Sequence, residues 1–184
     1  MTSQGDLAPV TLTIHDGMIV ERRTLEVCAA PEKVFSTFVS LGGATGWLYA
    51  NSLWKLRALI DQIFGGVGFR RTRRDPVDLR VGDALDFWRV EALEPGREML
   101  LKAEMKVPGR AWLQFEVQPL ANGMSQLVQS AIFAPKGLSG FLYWYILYWF
   151  HGRIFSGLIK AVGRRREDSI QWWDLQISVG SNRI

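Results

Sequence analysis

The chain has 184 residues, 22 Lys and Arg against 18 Asp and Glu, and one cysteine. That length buries a single core without disulfide or structural metal, and Cys28 has no intrachain partner to oxidise with. The net charge of +4 is gathered in two clusters, Arg70, Arg71, Arg73 and Arg74, then Arg164, Arg165 and Arg166. No zinc spacing, helix-turn-helix or aromatic-plus-basic strand motif accompanies them, so nucleic acid is not an expected partner. The clusters read as solvated element ends, with phosphates or an anionic membrane surface as the alternative.

The N-terminus has neither a basic n-region nor an apolar h-region, and a reducing cytoplasm is the expected setting. Residues 1–20 are polar and read as an arm, in which Val10 to Ile14 alternates like a short edge strand before the Asp16-Gly17 turn. Glu21 to Cys28 then alternates as a strand, with Leu25 and Val27 opposite Thr24 and Glu26. Pro31-Glu32 starts a short helix, since proline needs no amide partner there and an early carboxylate suits the dipole. Its buried side is Val34, Phe35 and Phe38, and it stops at Gly42-Gly43. A second helix is predicted from Trp47 to Phe64, with Tyr49, Leu53, Leu56 and Ile60 on one face. Trp47, Trp54 and Ala58 form a narrower strip beside it that reads as a contact surface.

From Ala84 to Ala134 the period changes to two, in four runs separated by Glu94-Pro95-Gly96, Pro108-Gly109 and Asn122-Gly123. Short turns between such runs predict an antiparallel meander. Met99 and Leu101, then Leu113, Phe115 and Val117, then Leu127, Gln129, Ala131 and Phe133 make one nearly continuous apolar face. After Pro135-Lys136-Gly137 nothing interrupts a long helix, roughly Leu138 to Arg166. Its angular plot centres Trp144, Leu147, Tyr148, His151, Ile154, Phe155, Leu158 and Val162 on the face toward the sheet. The predicted class is therefore α+β, with a curved antiparallel sheet wrapped on the C-terminal helix. Residues 21–166 form the domain and 167–184 a tail.

Strand, two helices, meander and terminal helix is the order of the helix-grip fold of START-like lipid carriers and polyketide cyclases. Closer still, Gly65-Gly66-Val67-Gly68, Arg73-Arg74-Asp75-Pro76 and the run from Leu79 to Glu91 carry a narrower likeness. With Pro108-Gly109-Arg110-Ala111-Trp112 and Tyr143-Trp144-Tyr145, they resemble a bacterial family of unknown function. In that family the module often follows an atypical short-chain dehydrogenase domain, which the resemblance brings in as a partner. No strand with G-x-G-x-x-G and a helix opens this sequence, so it resembles the free-standing form and no cofactor is expected.

The chain holds only His15 and His151, one cysteine, no H-E-x-x-H and no G-x-S-x-G, which sets aside metal and nucleophilic catalysis. His151 is the sharper candidate, an ionisable ring at the centre of the inward helix face. If Ala84, Asp86, Trp88 and Val90 turn inward, Asp86 joins it and Arg89 points out; the inverse register admits Arg89. A paired Asp86 and His151 can orient a carbonyl or hydroxyl, or act as acid and base in a cyclase or isomerase. The first reading is nevertheless a binder of an apolar small molecule or lipid, contacted by Met99, Leu101, Phe115, Trp144, Tyr148 and Phe155 with Gln129 as a second polar anchor.

The stretch from Leu138 to Val162 contains His151, Arg153 and Lys160, and central charges cost about 2.5–3.5 kcal/mol each on insertion, which argues against a spanning helix. Leu142, Ile146 and Trp149 fall on the outer face of the helix's first half. They are expected to meet a membrane surface peripherally, a dehydrogenase, a second copy in a homodimer, or the second helix.

Overall fold

In a computed structural model of the chain, which describes residues 7–42, 46–49, 73–75 and 78–180 with side chains up to residue 164, alternation sets the sheet's two faces. Strand β1, Thr11–His15, forms a hairpin with β2, Met18–Val27, through Asp16-Gly17. Both turn residues have positive φ, 49° at Asp16 and 74° at Gly17, a conformation that Asp and Gly tolerate. The alternating N-terminal stretch is thus the edge strand of the sheet, and β2 begins at Met18 rather than Glu21.

Helix α1, Pro31–Val39, starts with proline in its first turn as expected. Val34 and Phe38 are buried, and Phe38 stacks on Phe115 of the sheet at 5.5 Å. Its C-terminal end is held by Arg73, whose Nη1 donates to Val39 O at 2.7 Å and Leu41 O at 3.0 Å. One member of the first arginine cluster therefore satisfies orphan carbonyls instead of facing solvent. Burial is the largest influence on this guanidinium and lowers its pKa, against the nearby charges of Asp75 and Asp83. Trp54, Arg70, Arg71 and most of the second predicted helix lie outside the described residues.

The meander follows as β3, Ala84–Leu85, β4, Trp88–Glu94, β5, Glu98–Ala103, β6, Gly109–Pro119, and β7, Ser125–Pro135. All pairings are antiparallel, in the order β1-β2-β7-β6-β5-β4-β3. The first predicted run is split: Leu85 pairs with Trp88, so Asp86 and Phe87 form a tight turn. Asp86 reaches the interior from that turn, with φ of 58°, and not as a strand residue. Arg89 points outward and pairs with Glu104, as the inward placement of Trp88 and Val90 requires.

Helix α2, Gly137–Gly180, is longer than the predicted helix. The predicted tail carries no proline and its first glycine is Gly180, so nothing in the backbone chemistry ends the helix near Arg166. Ile154, Phe155, Leu158, Ile159 and Val162 join Met99, Leu101, Leu113, Phe115 and Leu127 in the core. The first half of α2 is held more thinly. Gly140 packs on the Pro108 and Pro135 backbone and Trp144 stacks on Phe133 at 5.7 Å, while Leu142, Ile146 and Trp149 are 59%, 61% and 80% exposed.

Candidate functional site

Small residues on the sheet facing α2 leave a gap beneath the helix. Ala111 of β6 and Ala131 of β7 bring no bulk to a cavity of about 50 Å³ walled by Trp88, Phe133, Trp144 and Phe155. His151 supplies an imidazole to this wall, its ring 6.3 Å from Trp144 and 5.6 Å from Phe155. Four of the expected contact residues, Trp88, Trp144, His151 and Phe155, therefore meet at one apolar cavity. Met99, Leu101 and Phe115 are fully buried in the core and do not line it. Tyr148 lies on the other flank of α2, at a groove facing β2 and Val10.

The expected Asp86–His151 pair does not form around this cavity. Asp86 Oδ2 accepts a hydrogen bond from Trp47 Nε1 at 2.8 Å, and Asp86 is not among the cavity's walls. Trp47 is fully buried, with its ring stacked on Phe87 at 5.9 Å, so it belongs to the core and not to a contact surface. The helical spacing that grouped Trp47 with Trp54 fails here because Trp47 lies in a turn, where its direction is set by Asp86 and Phe87.

A second polar group, of which the sequence expectations held only Gln129, occupies the inner face of the sheet. The register aligns Glu21 with Ala131, Arg23 with Gln129 and Leu25 with Leu127, so Glu21, Arg23 and Gln129 share the face covered by α2. All three are at most 1% exposed. Arg23 Nη2 donates to Glu21 Oε1, Arg23 Nε donates to Ser156 Oγ at 3.1 Å, and the guanidinium carbon sits 5.7 Å above the Phe155 ring. Breaking such a buried pair by removing one partner costs about 3–5 kcal/mol. Glu21 Oε2, Arg23 Nη1 and both polar atoms of the Gln129 amide make no hydrogen bond among the described residues. Each buried group left so costs about 1–3 kcal/mol. The signal was in the alternation: two and four residues back from Leu25 on the inner parity are Arg23 and Glu21. Their charge hid it.

Above this cluster a groove of about 350 Å³ runs between the sheet edge and α2, lined by Val10, Glu21, Arg23, Tyr148, Trp149, Gly152, Arg153 and Ser156. Gly152 brings the helix close over the ion pair: a Cβ there would lie 3.9 Å from Arg23 Nη2.

A family model described as "Protein of unknown function (DUF2867)" matches residues 14–158. The chain belongs to this family. No curated protein matches it by sequence. Among solved structures, the Zhui aromatase/cyclase from Streptomyces sp. R1128 is similar with a TM-score of 0.52 and 14% identity, over 83% of this chain and 96% of that one. Truncated norcoclaurine synthase from Thalictrum flavum gives 0.50 and 12%, over 85% and 95%. CalU16 from Micromonospora echinospora gives 0.51 and 10%, over 89% and 75%. At these identities the likeness concerns the fold, and the fold is helix-grip: a curled antiparallel sheet, seven-stranded among the described residues, closed by a long C-terminal helix.

Proposed function

We propose that this protein binds an apolar small molecule or a lipid chain between the sheet and the first half of α2. The observation that carries the reading is the cavity at Trp88, Phe133, Trp144, His151 and Phe155, where aromatic walls meet a single imidazole. Apolar walls with one or two placed polar groups are what such a ligand needs. At about 50 Å³ the cavity holds only a water or two in its closed form. Ligand uptake in this reading lifts the first half of α2, whose outer residues are already exposed and whose hold on the sheet rests on few side chains.

An acid–base enzyme is the weaker reading, because it needs Asp86 and His151 at one ligand and Asp86 is engaged with Trp47. The binding reading is tested by calorimetric titration with naphthalene and by native mass spectrometry for a co-purifying molecule. Wild type is expected to take up naphthalene, and Ala131→Leu, which fills the cavity from the sheet side, to lose it. Absence of uptake by the wild type, together with no co-purifying mass, would overturn the proposal.

A second reading rests on the outer face of the same helix segment. Leu142, Ile146 and Trp149 form an exposed apolar strip, with the exposed cations Lys136 before it and Arg153 after it. That arrangement suits peripheral contact with an anionic lipid surface. Among the described residues no helix is long and apolar enough to cross a membrane.

A further inference from the structure

We infer that Glu21, Arg23 and Gln129 are the polar anchor of the enclosed ligand, and that they select a neutral group able both to donate and to accept hydrogen bonds. The inference rests on the reading that α2 and the sheet enclose a ligand, and it names which end of that ligand is recognised. Three polar side chains stand side by side on two paired strands, on a face where the neighbouring residues Ile19, Leu25, Leu127, Ala131 and Phe133 are apolar, directly under α2. An apolar core of this size has no structural need for a charged pair and an amide at its centre. Packing alone would be served by leucine at each position.

The hydrogen-bonding inventory fixes the chemical class. Arg23 spends Nη2 on Glu21 and Nε on Ser156, which leaves Nη1 as a donor; Glu21 Oε2 remains as an acceptor. Gln129 adds one amide nitrogen and one amide oxygen, neither hydrogen-bonded among the described residues. The cluster thus offers donors and acceptors together. Its formal charges cancel, so a carboxylate would bring its charge against Glu21 and an ammonium would bring its charge against Arg23. A hydroxyl or a carboxamide answers both sides at once, and a carbonyl answers the donors alone.

Access is built on the same side. The groove between the sheet edge and α2 has Glu21 and Arg23 among its walls, apolar flanks at Val10, Tyr148 and Trp149, and Gly152 and Ser156 as the small helix residues above the pair. Its volume of about 350 Å³ lies within the range of small-molecule sites. The aromatic cavity on the far flank of α2 then receives the apolar body, with Phe155 touching both: it walls the cavity and lies under the Arg23 guanidinium.

The test compares naphthalene, 2-naphthol and 2-naphthoate by calorimetry on wild type and on Gln129→Leu, a variant that removes only a neutral amide and leaves the ion pair intact. Wild type is expected to bind 2-naphthol about tenfold more tightly than naphthalene, the value of one well-made hydrogen bond in a dry site. Naphthoate is expected to gain nothing over naphthalene, and Gln129→Leu to bring naphthol and naphthalene close to parity. Equal binding of naphthol and naphthalene by wild type would overturn the anchor while leaving the apolar binding reading standing. Tighter binding of naphthoate than of naphthol would overturn the neutral class. Binding of none of the three would overturn the enclosed-ligand reading and the anchor with it. Glu21→Leu with Arg23→Met, made together so that no buried charge is stranded, gives a second route to the same loss of preference.

Discussion

Trp47 Nε1 donates a hydrogen bond to Asp86 Oδ2 at 2.8 Å, joining the segment after α1 to the β3–β4 turn in the middle of the aromatic core. Phe87 stacks on Trp47, and Trp88 packs against both rings, so the carboxylate holds the turn that sets where Trp88 enters the cavity wall. Asp86→Ala removes the acceptor of a buried indole and leaves a residue with a Cβ at φ 58°. It is expected to lower unfolding free energy by about 2–3 kcal/mol in urea. Asp86→Asn keeps an acceptor and a residue type that tolerates this φ, and should lose less than half of that. A stability equal to wild type in Asp86→Ala would assign the carboxylate to something other than this structural bond.

Gly140 shows how closely α2 begins against the sheet. A Cβ at this position would fall 2.5 Å from Pro108 O and 2.9 Å from Pro135 Cα, both backbone atoms with little freedom to yield. Alanine gains about 1 kcal/mol of helix propensity over glycine, but the clash costs about 1–3 kcal/mol, and the clash should win. Gly140→Ala is therefore predicted to lower Tm by a few degrees. Gly152→Ala meets only Arg23 Nη2 at 3.9 Å and should be neutral or mildly stabilising in the same melting experiment. If the two variants melt alike, the start of α2 is not pressed on the β5–β6 connection.

Much of this arrangement was legible in the sequence, because period-two alternation and punctuation by glycine and proline are local. The inner faces of β5, β6 and β7, the proline-led α1 and the register of apolar residues along α2 all follow from spacing. What spacing misses is a charged residue on the inner parity of a strand. Arg23 and Glu21 pair only because Glu21 lies two residues before Arg23 on the same face, and Ser156 arrives from a helix 133 residues away. Asp86 was found for the wrong reason: its burial comes from a turn that breaks the alternation used to place it. His151 was placed correctly on the inward face, but no pattern in one strand and one helix could say that Trp47 would reach Asp86 first.

Acid sensitivity is expected from Asp83. The hydrogen bond from Arg74 holds its carboxyl below the ordinary 3.8, against a smaller opposing effect of burial, and the Arg80 amide adds to the same direction. The geometry is bidentate, with Arg74 Nε and Nη2 at 3.1 and 3.2 Å from the two carboxylate oxygens. A carboxyl depressed on folding contributes its stability fully above the unfolded value, and that contribution disappears as pH falls through the folded value. Urea midpoints of wild type and Asp83→Asn should therefore differ at pH 6 and converge below the ordinary carboxylate range. A gap that stays constant down to strong acid would mean the aspartate contributes through its backbone turn and not through its charge.

The exposed strip on α2 allows a sharper separation of surface and interior than any core substitution. Leu142 and Ile146 are 59% and 61% exposed, and neither lines the aromatic cavity or the groove above Glu21 and Arg23, so replacing them with aspartate should leave fold and cavity intact. If the strip meets lipid, the pair of aspartates removes the inserted apolar area and repels an anionic surface beside Arg153, both in the same direction. Sedimentation with vesicles containing a third phosphatidylserine should pellet wild type and leave Leu142→Asp/Ile146→Asp in the supernatant, while added salt weakens the wild-type binding without abolishing it. The double variant should still take up naphthalene like the wild type, because the aromatic wall faces the sheet. Equal pelleting of both proteins would place the lipid contact elsewhere. A wild type that fails to pellet but elutes as a dimer, with a monomeric variant, would assign the strip to a second copy of the chain.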